Sequence, residues 1–412
     1  MPEMFNVVTP EEARRIFCAH LTPIAHVERV SVAGALGRTV RQDVHSPMDL
    51  PAFARSTMDG FAVRAADTYG ASEAIPAYLT VIGEVLMGRS AGLTVSHGEA
   101  TVVHTGGMLP DGADAVVMVE STQQVDATTI EAVRPVAPGE NVIQVGEDVR
   151  RGELLVGTGR WLRPQDLGGL LGVGVTEVTV SPCPVVALIS TGDEVVAPES
   201  AAGPGQVRDI NTHTLSALVA QAGGVPLSLG IIPDDRAALL EAAKRGLDCA
   251  DMVVITAGSS VSARDLTARV ISDLGQPGIL VHGVAVRPGK PTILAVAGGK
   301  PVVGLPGNPV SAMVVFDLLV TPALHLLTGC AHPPDRPAAD ACLARNVAST
   351  TGREDYVQVK LEERDGKRWA VPVFGESNLI TTLMRADGTV QVPLDKLGLS
   401  EGEAVTVTLF RG

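Results

Sequence analysis

Gly304-Leu305-Pro306-Gly307-Asn308-Pro309-Val310-Ser311-Ala312 joins two elements of different period, and its reading decides the fold. Before it, Pro301-Val302-Val303 reads as a short buried strand. After it, Met313, Val314, Phe316, Asp317, Leu318 and Leu319 carry a helix-like run that Pro309 opens. Asn308 falls at the N-cap position and Pro309 at N1. Glycines at 304 and 307 let the turn approach a ligand closely, and the amides and dipole of the following helix favour negative charge. Proline and glycine punctuate most strand-to-helix turns, so the segment by itself reads equally as an anion cradle and as a plain connection.

Residues 181–330 repeat this alternation. Strand-length apolar runs fall at 185–189, 225–232, 252–255, 281–286, 293–296 and 301–303. Between them, Asn211 and Thr212 cap a helix with Leu215, Leu218, Val219 and Ala222 at 3–4 spacing. Asp234 and Asp235 cap a second over 236–245, and Asp265 opens a third through Leu266, Val270, Ile271 and Leu274. The pattern predicts a mostly parallel sheet with helices on both faces. The polar segments Thr191-Gly192-Asp193-Glu194, Pro233-Asp234-Asp235, Ala257-Gly258-Ser259-Ser260 and Arg287-Pro288-Gly289-Lys290-Pro291 each follow a strand, as does the opening segment. In open α/β sheets ligands bind at the carboxyl ends of strands, so these five segments predict one shared site.

The chain has 412 residues, enough for about two to four domains. Hydrophobic residues make up 45% but aromatics only 3%, so the cores are aliphatic, as α/β layers require. A net charge of −14 argues against nucleic acid as a partner. The uncharged runs at 178–192 and 301–316 are too short to span a bilayer, and no secretory signal is legible; Thr9-Pro10-Glu11-Glu12 reads instead as a capping box. Five scattered cysteines without a C-x-x-C pair predict reduced thiols and a cytoplasmic location, and no histidine spacing suits zinc.

The flanks are β-rich. Short Val/Thr segments separated by turns such as Asp59-Gly60 and Asp111-Gly112 fill 46–148, and strands at 356–361, 369–373, 390–393 and 404–409 suggest a small sheet or barrel. The expected fold is multidomain α/β. Residues 1–45 with 149–180 form a mixed α/β dimerisation unit and 46–148 a β-rich insert. Residues 181–330 form a three-layer α/β unit with a mostly parallel sheet, and 331–412 a β-barrel-like unit.

The same motifs, in order, resemble the molybdopterin molybdenumtransferases, the family of bacterial MoeA proteins and the gephyrin E domain. The resemblance runs almost end to end. It covers Ser56-Thr57-Met58-Asp59-Gly60-Phe61-Ala62-Val63-Arg64, Thr105-Gly106, Pro110-Asp111-Gly112-Ala113-Asp114, Gly139-Glu140-Asn141 and Gly146-Glu147-Asp148. It continues through Ser190-Thr191-Gly192-Asp193-Glu194, Asp265, Pro288-Gly289-Lys290-Pro291, the opening segment, Ser377 and Ala386-Asp387-Gly388. It implies a homodimer with its cleft between subunits, and a reaction in which adenylylated molybdopterin and molybdate give AMP and a molybdenum-loaded dithiolene with Mg²⁺ assistance.

By that resemblance Asp59, Thr105, Glu194, Asp234 and Asp265 are catalytic candidates, and Asp193, Glu194, Asp234 and Asp265 the candidate metal carboxylates, since Mg²⁺ takes oxygen ligands. Thr191, Gly192, Gly258, Ser259, Ser260, Arg287, Lys290, Pro306, Gly307, Asn308, Pro309, Ser311 and Ser377 are binding candidates. Of these, Arg287, Lys290, Ser311 and Ser377 match positions that resemble an oxyanion pocket. It further implies contacts with molybdopterin adenylyltransferase and molybdoenzymes.

Three departures stand out. The family's Gly-Gly-x-Ser-x-Gly is Ala257-Gly258-Ser259-Ser260-Val261-Ser262, its lysine before Pro-Gly-Lys is Arg287, and the base expected after Gly352-Arg353-Glu354-Asp355-Tyr356 is Gln358. Arg353 could compensate, or the pocket could favour tungstate. A molybdopterin adenylyltransferase and a non-catalytic, gephyrin-like scaffold are the competing readings.

Overall fold

A computed structural model describes residues 7–257 and 261–410, with the backbone alone at 261–263. Its centre is a six-stranded sheet built of β1 (Val185–Thr191), β2 (Val225–Ile232), β3 (Met252–Ala257), β4 (Pro277–His282), β5 (Ile293–Ala297) and β6 (Lys300–Pro306). The strand order is β2-β1-β3-β6-β5-β4. β1 pairs in parallel with β2 and β3, and β3 with β6; β5 runs antiparallel to both its neighbours. The predicted mostly parallel sheet is therefore present, with one reversed strand.

Helices α1 (Asn211–Gln221), α2 (Arg236–Cys249), α3 (Val261–Asp273) and α4 (Pro309–Val315) cover it. The aliphatic runs explain why: β3 is buried at every position, so its side chains must be covered on both faces. Val186, Leu188, Val254 and Val303 share one core with Leu215, Val219, Phe316 and Phe17. Ala187, Ile189, Val253 and Ile255 share the other with Leu239, Ala242 and Ile271. Helix α4 continues without a break into the run Pro309–Leu327, which is 19 residues long, apolar enough to cross a membrane, and 67% buried. Here it is a core element, packed against the sheet and the helix Pro10–Cys18, whose Thr9 hydroxyl accepts from Glu12 N at 3.1 Å as the capping box requires.

Outside the centre, Glu28–Ser31 pairs antiparallel with Glu177–Val180, closing off the chain between them. That intervening chain holds a second six-stranded sheet, including Gly60–Val63 and Glu99–Val103. At the C-terminal end, Glu354–Arg364, Lys367–Pro372, Ala338–Leu343, Ala404–Leu409 and Gly388–Val392 pair in that order. The last strand pairs back with the first, closing a five-strand barrel. Closure leaves these short Val/Thr strands no free edge. The strand Ala338–Leu343 has no counterpart in the sequence reading, because its alternation is broken by alanines.

Three local expectations are corrected. The strand expected at 281–286 ends at His282, and Val286–Arg287 instead pairs in parallel with Glu354–Asp355 of the barrel. Glycine at 283 interrupts the apolar run and releases the backbone to cross between units. The side-chain cap of α1 is Asp209, which accepts from Thr212 N (3.1 Å) and Oγ1 (2.6 Å), rather than Asn211. Asp265 does not open α3; the helix starts at Val261, and Asp265 lies one turn inside it. There a carboxylate still meets the favourable end of the helix dipole.

The loop after Arg287 is held tightly. Val284 N donates to Lys290 O at 2.9 Å, and Thr292 Oγ1 to Gly289 O at 2.7 Å. Gly289 has φ +122°, and a Cβ there would overlap Val315 Cγ2 and lie 3.7 Å from Ser311 O. The glycine thus lets the Pro-Gly-Lys-Pro loop press on the first turns of α4. Gly289→Ala is expected to destabilise the protein by about 1–3 kcal/mol through overpacking and backbone strain. Gly168→Ala, in open space on the helix Pro164–Gly172, serves as the control and leaves stability equal or slightly raised in the same thermal-denaturation comparison.

Candidate functional site

The carboxyl ends of β1 and β2 gather three of the predicted carboxylates. Gly192, with φ +140°, sits where a Cβ would come within 2.7 Å of Glu194 Oε2, so glycine is what allows that side chain to fold back over the turn. Thr191 is buried, its hydroxyl donating to Thr256 O on β3 at 3.2 Å; its part is to tie two strand ends together. Asp193 Oδ1 accepts from Asp234 N at 3.1 Å, which bridges the loops after β1 and β2. Asp235 alone caps α2, accepting from Ala238 N at 2.8 Å, so the Asp234 carboxylate is spared from capping. Partial desolvation, and then the neighbouring charges of Asp193 and Glu194, push the Asp234 carboxyl above its ordinary range. A cation placed among them would relieve that repulsion.

Beyond β3, Gly258, Ser259 and Ser260 lie outside the described residues. Asp265 Oδ1 is buried and has no hydrogen-bond partner among the described residues. It lies near His282, at the end of β4, whose imidazole is pushed down by burial against the opposing pull of the Asp265 charge. His282 and Arg264 line a narrow crevice together with Ala257, Thr267, Gly304 and Pro306, between the ends of β3, β4 and β6. Neither was singled out in the sequence, where Arg264 looks like a helix surface charge and His282 like a strand-end residue.

The opening segment forms the third wall. Pro306 ends β6, Pro309 begins α4, and Asn308 holds the N-cap position but makes no side-chain cap. Its Nδ2 donates instead to Ser377 Oγ at 2.8 Å, and the first free helix amide, Val310 N, donates to Ser377 O at 3.2 Å. Barrel-side chain thus occupies part of the expected amide cradle. Gly307 O accepts from Asn211 Nδ2 at 2.7 Å, while Asn211 Oδ1 is buried without a partner among the described residues. Asn211 is a site-wall residue that its capping-type composition concealed. Ser311 is buried in the first turn of α4.

Cations come from the loop after β4. Arg287 and Lys290 are both exposed, and Arg287 Nη1 lies 3.8 Å from Asp355 Oδ2. Arg353 is committed to the same carboxylate, with Nε 2.9 Å from Oδ1. Gln358 is buried in the barrel wall, its Nε2 donating to Tyr356 O at 3.3 Å, so no charge faces the pocket from that position.

Asp59 and Thr105 lie apart from these strand ends, on the insert. Asp59 Oδ1 accepts from Thr105 N at 2.8 Å and Oγ1 at 3.3 Å, and the Asp59 side chain is 65% exposed. Among the described residues neither makes a hydrogen bond or ion pair with the central site. A hollow of about 380 Å³ beside Arg29, Asp43, Glu177 and Thr179 includes none of the predicted residues. Among the described residues no three His, Cys, Asp or Glu side chains are already gathered closely enough to enclose a metal ion.

Comparison with known proteins accounts for this arrangement. The model for the MoeA N-terminal region (domains I and II) matches residues 8–174, that for a probable molybdopterin binding domain 187–326, and that for the MoeA C-terminal region (domain IV) 340–410. A putative molybdopterin biosynthesis protein of Methanocaldococcus jannaschii is 34% identical, over 93% of this chain and 92% of its own. The molybdopterin molybdenumtransferase of Bacillus subtilis is 32% identical over 100% and 96%. A crystal structure of the molybdopterin biosynthesis MoeA protein from Pyrococcus horikoshii OT3 superposes with a TM-score of 0.85 at 31% identity, covering 98% of this chain and 100% of that one. By full-length identity above 30% and by three consecutive domain models, this chain belongs to the MoeA family, the molybdopterin molybdenumtransferases.

Proposed function

We infer that this transferase takes adenylylated molybdopterin and molybdate, cleaves the phosphoanhydride to release AMP, and leaves molybdenum on the dithiolene. The observation that carries this reading is that one sheet edge bears two sets of groups, an acidic one in the loops after β1 and β2 and a cationic and hydroxyl-bearing one at the loops after β4 and β6. Asp193, Glu194 and Asp234 supply the first; Arg287, Lys290, Ser311 and Ser377 supply the second. A pyrophosphate and an oxyanion need fixed positive charge and N–H or O–H donors, and a hard cation needs oxygen ligands.

The donor set fits Mg²⁺. This ion keeps several waters and binds through one or two carboxylates plus substrate phosphates, which the carboxylates of the loops after β1 and β2 can supply. Asp193, Glu194 and Asp234 would hold it, with Asp265 as the further carboxylate on the β3 side. When bound it supplies charge neutralisation to the phosphate oxygens. The chain's own part is positional: Asn308 and the α4 start locate the Ser377 segment, Gly307 carries the wall that Asn211 braces, and Lys290 and Arg287 offer charge to the anion.

We also propose a cytoplasmic homodimer with the unit boundaries given by the sequence, in which Asp59 and Thr105 serve the cleft of the opposite subunit. Their mutual hydrogen bonds and their separation from the strand-end groups of their own chain support this.

Purified protein supplied with adenylyl-molybdopterin, Mg²⁺ and molybdate is expected to release AMP; no AMP above background refutes the reading. Asp59→Ala and Asp234→Asn are each expected to lose turnover, and mixing the two with subunit exchange to restore part of it. No recovery in an exchanged mixture argues against a shared cleft.

The pH dependence follows from the raised Asp234 group. In chelator-treated protein, a folded pKa above the unfolded value contributes stability that is complete below the unfolded value, about 4, and is lost as pH rises through the folded one. Asp234→Asn should therefore raise the Tm at pH 7, with the gain vanishing at pH 3. Added Mg²⁺ should raise the wild-type Tm more than that of the variant.

A further inference from the structure

The geometry points to Asp355 as a positioning residue that sets the Arg287 guanidinium for a tetrahedral dianion such as molybdate; this deepens the function inferred above and rests on it. Asp355 is 4% exposed, at the start of the barrel strand Glu354–Arg364, and two guanidinium groups converge on it. They meet it differently. Arg353 engages both carboxylate oxygens, Nε at 2.9 Å and Nη2 at 3.4 Å, the fork-on-carboxylate pairing that ties one edge of its guanidinium to Asp355. Arg287 stands 3.8 Å away, an ion pair too long for a hydrogen bond, with its side chain 62% exposed.

Asp355 thus orients Arg287 without consuming its N–H groups, and two cations on one carboxylate leave a surplus positive charge at the surface. The backbone fixes the register of that charge. Val286 and Arg287 pair in parallel with Glu354 and Asp355, and Glu354 N donates to Ala285 O at 2.9 Å. Two residues later Gly289 presses on Val315 beside Ser311, which places the loop against the candidate oxyanion wall. A planar fork drawn towards a fixed carboxylate keeps paired donors for an oxyanion, which a lysine at 287 could not offer. Gln358 offers no charge, so the anchored arginine supplies the cation that position lacks.

Equilibrium dialysis with molybdate tests this on the full chain. Arg287→Ala and Asp355→Asn are each expected to weaken molybdate binding about tenfold, or 1.4 kcal/mol. The double variant should be no weaker than either single one, because both act through one guanidinium. Asp355→Asn leaves the half-buried Arg353 without its carboxylate, so Arg353→Gln provides an independent reading. With Arg353 gone, Asp355 draws Arg287 into direct pairing, and binding should again weaken although the buried carboxylate remains. A merely structural role would lower the Tm of Asp355→Asn and Arg353→Gln and leave the molybdate affinity of both at the wild-type value, which overturns the inference alone. Wild-type protein that binds no molybdate overturns the inferred function and this inference with it.

Discussion

A sheet covered on both faces leaves its carboxyl edge as the place where charge can be kept in water, and the rest of this molecule is arranged around that constraint. β1, β3 and β6 are buried almost throughout, with one set of side chains under α1 and α4 and the other under α2 and α3. Burying an unpaired carboxylate among them would cost several kcal/mol. Asp193, Glu194, Asp234, Arg287 and Lys290 are accordingly all found where strands give way to loops. The same edge receives helix starts, so acidic loops and amide-bearing turns become neighbours for one topological reason.

What completes the edge comes from elsewhere in the chain. The barrel unit reaches it at Ser377, against Asn308 and Val310, and at Glu354–Asp355, against Val286–Arg287. Both touch segments that a single α/β unit would leave open. The first fills part of the amide cradle at α4, and the second turns a loop arginine into an oriented group. The barrel is thereby part of the wall, and its closed pairing keeps these contacts in fixed register.

Much of this was legible from residue order. Aliphatic runs alternating with 3–4-spaced helices gave the sheet with its strand ends, and the resemblance carried by Ser56 to Arg64, Pro288 to Pro291 and Gly304 to Ala312 pointed to the family. Capping was legible only in part. Aspartates at 209, 234, 235 and 265 look alike in sequence, yet Asp209 and Asp235 cap helices, Asp234 is pushed towards its protonated form, and Asp265 sits inside a helix with a buried oxygen. A carboxylate's task depends on which amides and charges come within reach, and that distance is not a property of its neighbours in sequence.

The sequence by itself determined the period of each segment, the fold class and the residue types available at the strand ends, because these depend on local propensity and on which side chains must leave water. Only the tertiary structure decided how those residues are used. Asp355, a residue of a short Gly-Arg-x-Asp-Tyr element, gains its place beside Arg287 through a parallel pairing of distant segments, Val286 with Glu354 and Arg287 with Asp355. Asn211 becomes a brace for Gly307, and the amide of Val310 is given to Ser377. Long-range pairing assigns partners that no sequence window contains, and electrostatics then follows from the partners assigned.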